Sequence, residues 1–343
     1  MVFSIVNVAV ALDITAEYDD YKYHKLESMA MSLSSITANL PLFTGLDKKL
    51  IIDVKDIHEA DLNQANFILN GEALEVLRKL PNSIVQTVVT SPPYYGQRDY
   101  CADKQVGTEP TPEEYLNRLV DIFDEVKRVL KDDGTLWLNI GDKYIDGNLA
   151  GLPWRLAISL KQRGWILRSD IIWHKPNAMP SSVQNRPTTD HEYVFLFAKN
   201  SKYYYDADSI REPHVTFSDK SRMKGGRNHL GKEGGTPEQG KNSGNSNLHR
   251  GRWDQAFHPK GRNKRTVWEV PLSKFREAHF AVFPEKLIEP CILAGCPEGS
   301  VVLDPFFGSG TTGFVSLAKG RKFIGIELNK DYCEIAIKRI FSF

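Results

Sequence analysis

From Phe67 onward, short β-branched runs alternate with segments whose apolar residues recur every three or four positions, and this alternation narrows the fold more than any other feature. Strands are expected at Phe67 to Leu69, Gln86 to Thr90, Thr135 to Ile140, Ile166 to Trp173, Glu192 to Ala198, Ser300 to Asp304 and Lys322 to Glu327. Helices are expected through Leu74 to Leu80, Tyr115 to Leu130, Pro153 to Arg163, Thr311 to Lys319 and Asp331 to Ile340, the second closed by Asp133-Gly134. A helix between two strands returns the chain to the edge where it started, so the sheet must be mainly parallel. The fold class is α/β.

The alternation stops between Pro213 and Arg265. This stretch holds nine glycines, twelve Lys or Arg and four Asp or Glu, with almost no apolar periodicity, so it cannot build a core of its own. The chain is therefore divided into an N-terminal arm or accessory segment (1–60), a first α/β part (61–212), a basic glycine-rich insertion (213–270) and a second α/β part (271–343). The formal net charge is only +1, which hides a local excess of +8 in the insertion. Within it, Arg250, Arg252, Arg262, Lys264 and Arg265 surround or follow Trp253, a mixture of cations and an aromatic suited to a nucleic-acid surface. A solvated loop would carry the same composition.

Cys101, Cys291, Cys296 and Cys333 form no CxxC pair, so neither a disulfide framework nor a zinc site is expected, and a reducing cytoplasm fits. The apolar run Val2 to Leu12 has no basic leader and is too short to span a bilayer, so no membrane association is expected.

Two segments carry the chemistry. Val302-Leu303-Asp304-Pro305-Phe306-Phe307-Gly308-Ser309-Gly310-Thr311-Thr312 reads as a buried strand running into a tight glycine turn at a helix start, where a backbone can approach a ligand closely. Glu327 ends the next strand, 23 residues after Asp304, where a carboxylate accepts from ribose hydroxyls. A P-loop would need GxxxxGK[ST], and a dinucleotide site prefers GxGxxG at a different point after its strand. Neither is present, which leaves S-adenosylmethionine as the best nucleoside candidate, with a purely structural turn as the alternative.

The second segment, Ser91-Pro92-Pro93-Tyr94, follows a strand at the carboxyl edge where parallel sheets hold ligands. Its prolines fix φ and remove backbone donors, so the neighbourhood presents acceptors in a rigid frame. Acceptors suit an exocyclic amine, whose lone pair is delocalised into the base until hydrogen bonds draw the nitrogen toward tetrahedral geometry. Tyr94 would stack on a base taken out of the helix.

Together these segments resemble the DNA amino-methyltransferases of restriction-modification systems, whose catalytic motif is [DNS]PP[YF] and whose cofactor motif is FxGxG. Here the motifs stand as Ser91-Pro92-Pro93-Tyr94 and Phe307-Gly308-Ser309-Gly310. The order of catalytic motif, basic segment and cofactor motif is similar to the β class of that family. Asn70-Gly71-Glu72 resembles the family's acidic motif that contacts the cofactor's adenosine, with glutamate in place of the usual aspartate. Ala281-Val282-Phe283-Pro284 resembles the segment that holds the cofactor's methionine part, which assigns a contact to Phe283. The resemblance covers roughly residues 66 to 342 and leaves the first 60 outside it.

What the resemblance implies is a doubly wound, mainly parallel seven-stranded sheet, circularly permuted, with the basic insertion as target-recognition region. It implies catalytic Ser91, Pro92, Pro93 and Tyr94, and cofactor contacts from Glu72, Phe283, Asp304, Pro305, Phe307, Gly308, Ser309, Gly310, Thr311 and Glu327. DNA contacts would come from Arg250, Arg252, Arg262, Lys264 and Arg265, and no metal is expected. The implied reaction is direct methyl transfer from S-adenosylmethionine to a flipped base in double-stranded DNA, beside a cognate endonuclease acting on the same site. Serine in the first motif position is similar to the cytosine-N4 enzymes. Adenine-N6 transfer, RNA as substrate, or a DNA-binding protein with a degenerate site are the alternatives.

Overall fold

A computed structural model describes residues 51–53, 66–97, 104–213, 260–272 and 283–341. The elements in chain order begin with β1 (Ile51–Asp53), β2 (Phe67–Asn70), α1 (Ala73–Leu77) and β3 (Val85–Thr90). Next come α2 (Pro112–Val129), β4 (Leu130–Ile140), the hairpin β5 (Tyr144–Ile145) and β6 (Asn148–Leu149), α3 (Leu152–Gln162), β7 (Ile166–His174) and β8 (His191–Ala198). β9 (Val267–Glu269), α4 (Glu285–Gly295), β10 (Val301–Asp304), α5 (Thr311–Ala318), β11 (Lys322–Glu327) and α6 (Lys330–Phe341) complete the chain.

Local chemistry explains why α2 begins where it does. Thr111 is its N-cap and accepts from the Glu114 N–H at 3.2 Å, Pro112 opens the first turn, and Glu113 and Glu114 face the positive end of the helix dipole. Tyr115, Leu119, Ile122, Phe123 and Val126 form its buried stripe. The helix ends at Val129 rather than Leu130, because β4 starts there. Leu130 pairs with Val85, and an irregularity in the ladder before Thr87 and Thr135 absorbs Lys131 to Gly134.

The main sheet runs β1-β2-β11-β10-β3-β4-β8-β7-β9. It is parallel from β1 through β4; β8 is antiparallel to both β4 and β7, and β9 is parallel to β7. The seven expected strands form its continuous centre, and the short β1 and β9 add an edge strand on each side. The C-terminal strand β10 lies between β11 and β3, as a permuted chain requires. β3 crosses over to β4 on one side and β10 to β11 on the other, so the chain diverges between β3 and β10 and opens a crevice at their carboxyl ends.

Helices cover both faces. α1, α2 and α3 bury Val76, Leu77, Phe123 and Leu156 on one side, while α4 and α5 bury Leu287, Ile292 and Val315 on the other. β3 is buried along its length and sends Val88 to the first cluster and Val89 to the second, the period-two alternation of a strand covered on both faces. α6 packs Ala336 and Ile340 against Phe307 and Phe323 in a third cluster. The helix α4 was not expected from sequence, since Pro290 interrupts its periodicity; its buried positions Leu287, Ile288, Cys291 and Ile292 nevertheless lie on one face. No helix among the described residues is long and apolar enough to cross a membrane.

Candidate active site

At the carboxyl ends of β3 and β10 a cavity of about 480 Å³ is lined by Ser91, Pro92, Pro93 and Tyr94 on one wall. Pro305, Phe307, Gly308, Ser309, Thr311 and Glu327 line another. The two motifs, more than 200 residues apart in sequence, share one pocket because β3 and β10 are neighbours in register, Leu303 beside Val88.

Asp304 fixes that adjacency without facing the cavity. It is 1% exposed. Its Oδ1 accepts from Thr90 Oγ1 at 2.6 Å and from the Phe306 N–H at 3.0 Å, and its Oδ2 accepts from Thr312 Oγ1 at 2.7 Å. Burial pushes its pKa up to about 6 against the pull of those donors. The expected direct contact of Asp304 with a cofactor is therefore corrected: its carboxylate is consumed inside the fold, tying the end of β3 to the start of α5.

The glycine turn divides in the same way. Gly308 has φ +51° and a Cβ there would meet nothing within 4 Å, so its backbone borders open space in the cavity. Gly310 has φ +81°, and a Cβ would fall 2.8 Å from Ala336 Cβ; this glycine admits α6 and does not line the cavity. The Phe307 ring stacks on Phe323 with centroids 5.4 Å apart and covers Gly325, leaving little of it exposed. Ser309 Oγ and Thr311 Oγ1 accept from Arg339 Nη1 at 3.1 and 2.8 Å.

Glu327 closes the turn. Its Oε2 accepts from the Gly308 N–H at 2.7 Å and its Oε1 from the Asn329 N–H at 2.8 Å, yet burial pushes its pKa up to about 7. A carboxylate has about four acceptor positions, so both oxygens keep capacity for hydroxyl donors from the cavity. Glu72 also lines the cavity, but as N-cap of α1: its Oε2 accepts from the Glu75 N–H at 2.8 Å, and its Oε1 lies 3.5 Å from the Arg118 guanidinium. Phe283 is half-buried at the cavity wall.

On the Ser91–Tyr94 wall, Tyr115 Oη donates to the Pro93 carbonyl at 2.9 Å. Ser91 Oγ and the Pro92 carbonyl remain as the motif's acceptors, and among the described residues no donor reaches the latter. Tyr94 Oη donates to Glu192 Oε2 at 2.7 Å, and burial beside that carboxylate holds the phenol protonated well above its ordinary range.

Sequence reasoning missed Asn139 and Glu192, which line the same half of the cavity. Asn139 Nδ2 donates to Glu192 Oε2 at 3.2 Å and to the Tyr193 carbonyl at 3.1 Å. The signal was there: each is a polar residue next to an apolar run of its strand, Leu136 to Leu138 and Tyr193 to Ala198. His174 and Lys175 stand side by side at the end of β7 and face different surroundings. Lys175 lines the cavity and pairs with Glu192, whereas the His174 ring turns to Asp190 at 3.6 Å and Glu269 at 3.4 Å.

Of the five expected DNA-contacting residues, Arg250 and Arg252 lie outside the described residues, as does Trp253. Arg262 and Lys264 are turned inward to Glu212, at 3.2 and 3.4 Å, and Lys264 lies 5.0 Å from the Trp268 ring centre. Two of the five residues expected to contact DNA thus also neutralise a carboxylate of the same chain. Arg265 is exposed.

The N6/N4 DNA methylase family matches residues 85–338, a stretch that takes in both motifs and the cavity between them. The chain belongs to this family. The Type II methyltransferase M.Cfr9I of Citrobacter freundii is 43% identical over 321 residues, covering 84% of this chain and 93% of that relative. M.SmaI of Serratia marcescens, also a Type II methyltransferase, is 40% identical over 331 residues, covering 88% and 97%. Among solved structures, the PvuII DNA methyltransferase (cytosine-N4-specific) matches with a TM-score of 0.58 at 21% identity, covering 80% of this chain and 86% of that one. A DNA modification methylase of Thermus thermophilus, solved in complex with S-adenosyl-L-methionine, matches with a TM-score of 0.52 at 26% identity, covering 80% and 93%. This DNA methylase thus has the α/β fold of S-adenosylmethionine-dependent methyltransferases, with Ser91–Tyr94 ahead of the Gly308 turn in sequence.

Proposed function

We propose that this methyltransferase moves a methyl group from S-adenosylmethionine to N4 of a cytosine flipped out of double-stranded DNA, within a restriction-modification system. The observation that carries the reading is one cavity lined both by Ser91 and Pro92 and by the Gly308–Glu327 turn. The residues present suit the cofactor. Glu327 keeps acceptor capacity for ribose hydroxyls, Gly308 leaves space where a side chain would intrude, and Phe283 and Pro305 add apolar wall. When bound, S-adenosylmethionine supplies an electrophilic methyl group on a sulfonium.

The protein's part is positioning. Ser91 Oγ and the Pro92 carbonyl accept the two amine hydrogens and turn the nitrogen lone pair out of conjugation with the ring. Tyr94 stacks on the base, a contact of about 1–3 kcal/mol that offsets the few kcal/mol of unstacking. No residue is assigned as general base, since the extra amine proton is lost readily after transfer. Serine ahead of the prolines, in place of aspartate, supports cytosine over adenine. The basic 213–265 segment supplies the DNA contacts, and an endonuclease cutting the same site is the expected partner in the cell.

Methylome sequencing of a host expressing the gene, with nucleoside mass spectrometry of digested DNA, tests this. N4-methylcytosine at a defined sequence is expected. N6-methyladenine alone would overturn the base assignment and keep the family.

A further inference from the structure

Beyond the Ser91–Tyr94 wall, the cavity contains a charged pair that the transfer reaction as described does not use. Lys175 follows β7 and leaves 15% of its side chain exposed. Its ammonium pairs with Glu192 Oε1 and lies 4.5 Å from the centre of the Trp173 ring. The other oxygen of Glu192 takes Tyr94 Oη at 2.7 Å and Asn139 Nδ2 at 3.2 Å. Three donors of this chain thus occupy most of the carboxylate's acceptor positions. The ammonium is in the opposite position: it has three N–H groups, one goes to Glu192, and among the described residues no acceptor is seen for the other two. Keeping a cation in a cavity wall with so few acceptors is unfavourable unless something else supplies them.

We propose that Lys175 is the donor that reads the ring edge of the flipped cytosine, at O2 and N3; this rests on the cytosine reading above. Going round the cytosine ring from its amine, the next two polar positions are acceptors, N3 and O2, whereas adenine offers N1 and then a C–H. The catalytic wall supplies acceptors for the amine, and Lys175 supplies donors for the two positions that follow it. Glu192 holds both Lys175 and the Tyr94 hydroxyl, so the edge reader and the stacking ring move as one unit. Trp173 limits the ammonium from one side and leaves the cavity side open.

The test is a cycle that removes the donor and its acceptor separately. Two duplexes carry the site found by methylome sequencing, one with the natural target cytosine and one with an analogue that keeps the amine and ring nitrogen but lacks the O2 carbonyl. In wild type, kcat/KM is expected to fall about ten- to hundred-fold on the analogue, the size of a lost hydrogen bond to a charged group. Lys175→Met is expected to lose about that factor on cytosine and little more on the analogue, with cofactor affinity unchanged and a lower Tm because Glu192 loses its counter-charge. Lys175→Arg, which keeps donors, should recover part of the loss. Losses that multiply, or a parallel fall in cofactor affinity, would overturn the role of Lys175. Should Lys175→Met fail to fold, the same cycle is read with Lys175→Gln. Mass spectrometry of the wild-type product keeps the two readings apart: methyladenine removes the cytosine assignment, while methylcytosine with multiplying losses removes only the edge reader.

Discussion

At Glu327 the donors from Gly308 (2.7 Å) and Asn329 (2.8 Å) offset only part of what burial costs the carboxylate, whose pKa stands at about 7 instead of the ordinary 4.5. Ribose hydroxyls that donate to this group bind its ionised form, so cofactor binding must expel any proton held there. The sign follows. In the cofactor-free protein the raised pKa favours the protonated form, and that contribution to stability is present below 4.5 and lost as pH rises through about 7. Cofactor affinity moves the other way and grows with pH over the same window. Between pH 8 and pH 6 the ionised fraction falls about tenfold, so affinity should weaken by about tenfold, or about 1.4 kcal/mol. Titration calorimetry at pH 6, 7 and 8 measures it. Glu327→Gln removes the titration and should bind weakly at every pH with a flatter profile, and the comparison subtracts ionisation of the ligand itself. A flat wild-type profile, or the same slope in Glu327→Gln, would refute the assignment of Glu327 to the ribose.

Gly308→Val should lower cofactor affinity with a modest loss of stability, since its side chain would project into open cavity, whereas Gly310→Val should lower Tm first because its Cβ would strike Ala336 at 2.8 Å. Thermal melts and calorimetry on both variants separate the two roles. Ser91→Ala should slow single-turnover methyl transfer by about a hundredfold or more while leaving cofactor affinity intact, as losing one preorganised hydrogen-bonding group does in other enzymes. Changing Arg250, Arg252 and Arg265 to glutamine should reduce the salt slope of log K for duplex DNA by up to about 0.9 per residue. Arg262→Gln and Lys264→Gln should change the slope less and Tm more, because both cations already face Glu212.

The strands and both motifs were legible because a buried parallel strand reads as a continuous apolar run and a tight ligand turn needs glycine. β10 is of this kind, and β3 (VQTVVT) reads as a β-branched run. What could not be read was which polar side chains would meet. Tyr94, Asn139, Lys175 and Glu192 sit on four different segments, and their contact depends on β8 lying between β4 and β7 as the antiparallel strand of the sheet. No local pattern states that order. α4 was missed for a local reason, its internal proline.

Asp304 shows why a correct motif can still misplace a residue. An acid at the end of a strand before a glycine turn reads as a ligand group, and it would be one if solvent or cofactor lay beyond it. In a permuted chain, however, the strand carrying the cofactor turn and the strand carrying the catalytic motif have no short connection, and something must fix their carboxyl ends relative to each other. Thr90 Oγ1, one residue before Ser91, reaches Asp304 Oδ1 at 2.6 Å, and Thr312 Oγ1, in the first turn of α5, reaches Oδ2 at 2.7 Å. With the Phe306 N–H these donors nearly fill a carboxylate whose burial would otherwise be unfavourable. In the proposed reaction, methyl transfer depends on the distance and angle between an amine at Ser91 and a methyl group at the Gly308 turn. The β3–β10 ladder and the buried Asp304 side chain together hold the carboxyl ends of the two strands in place.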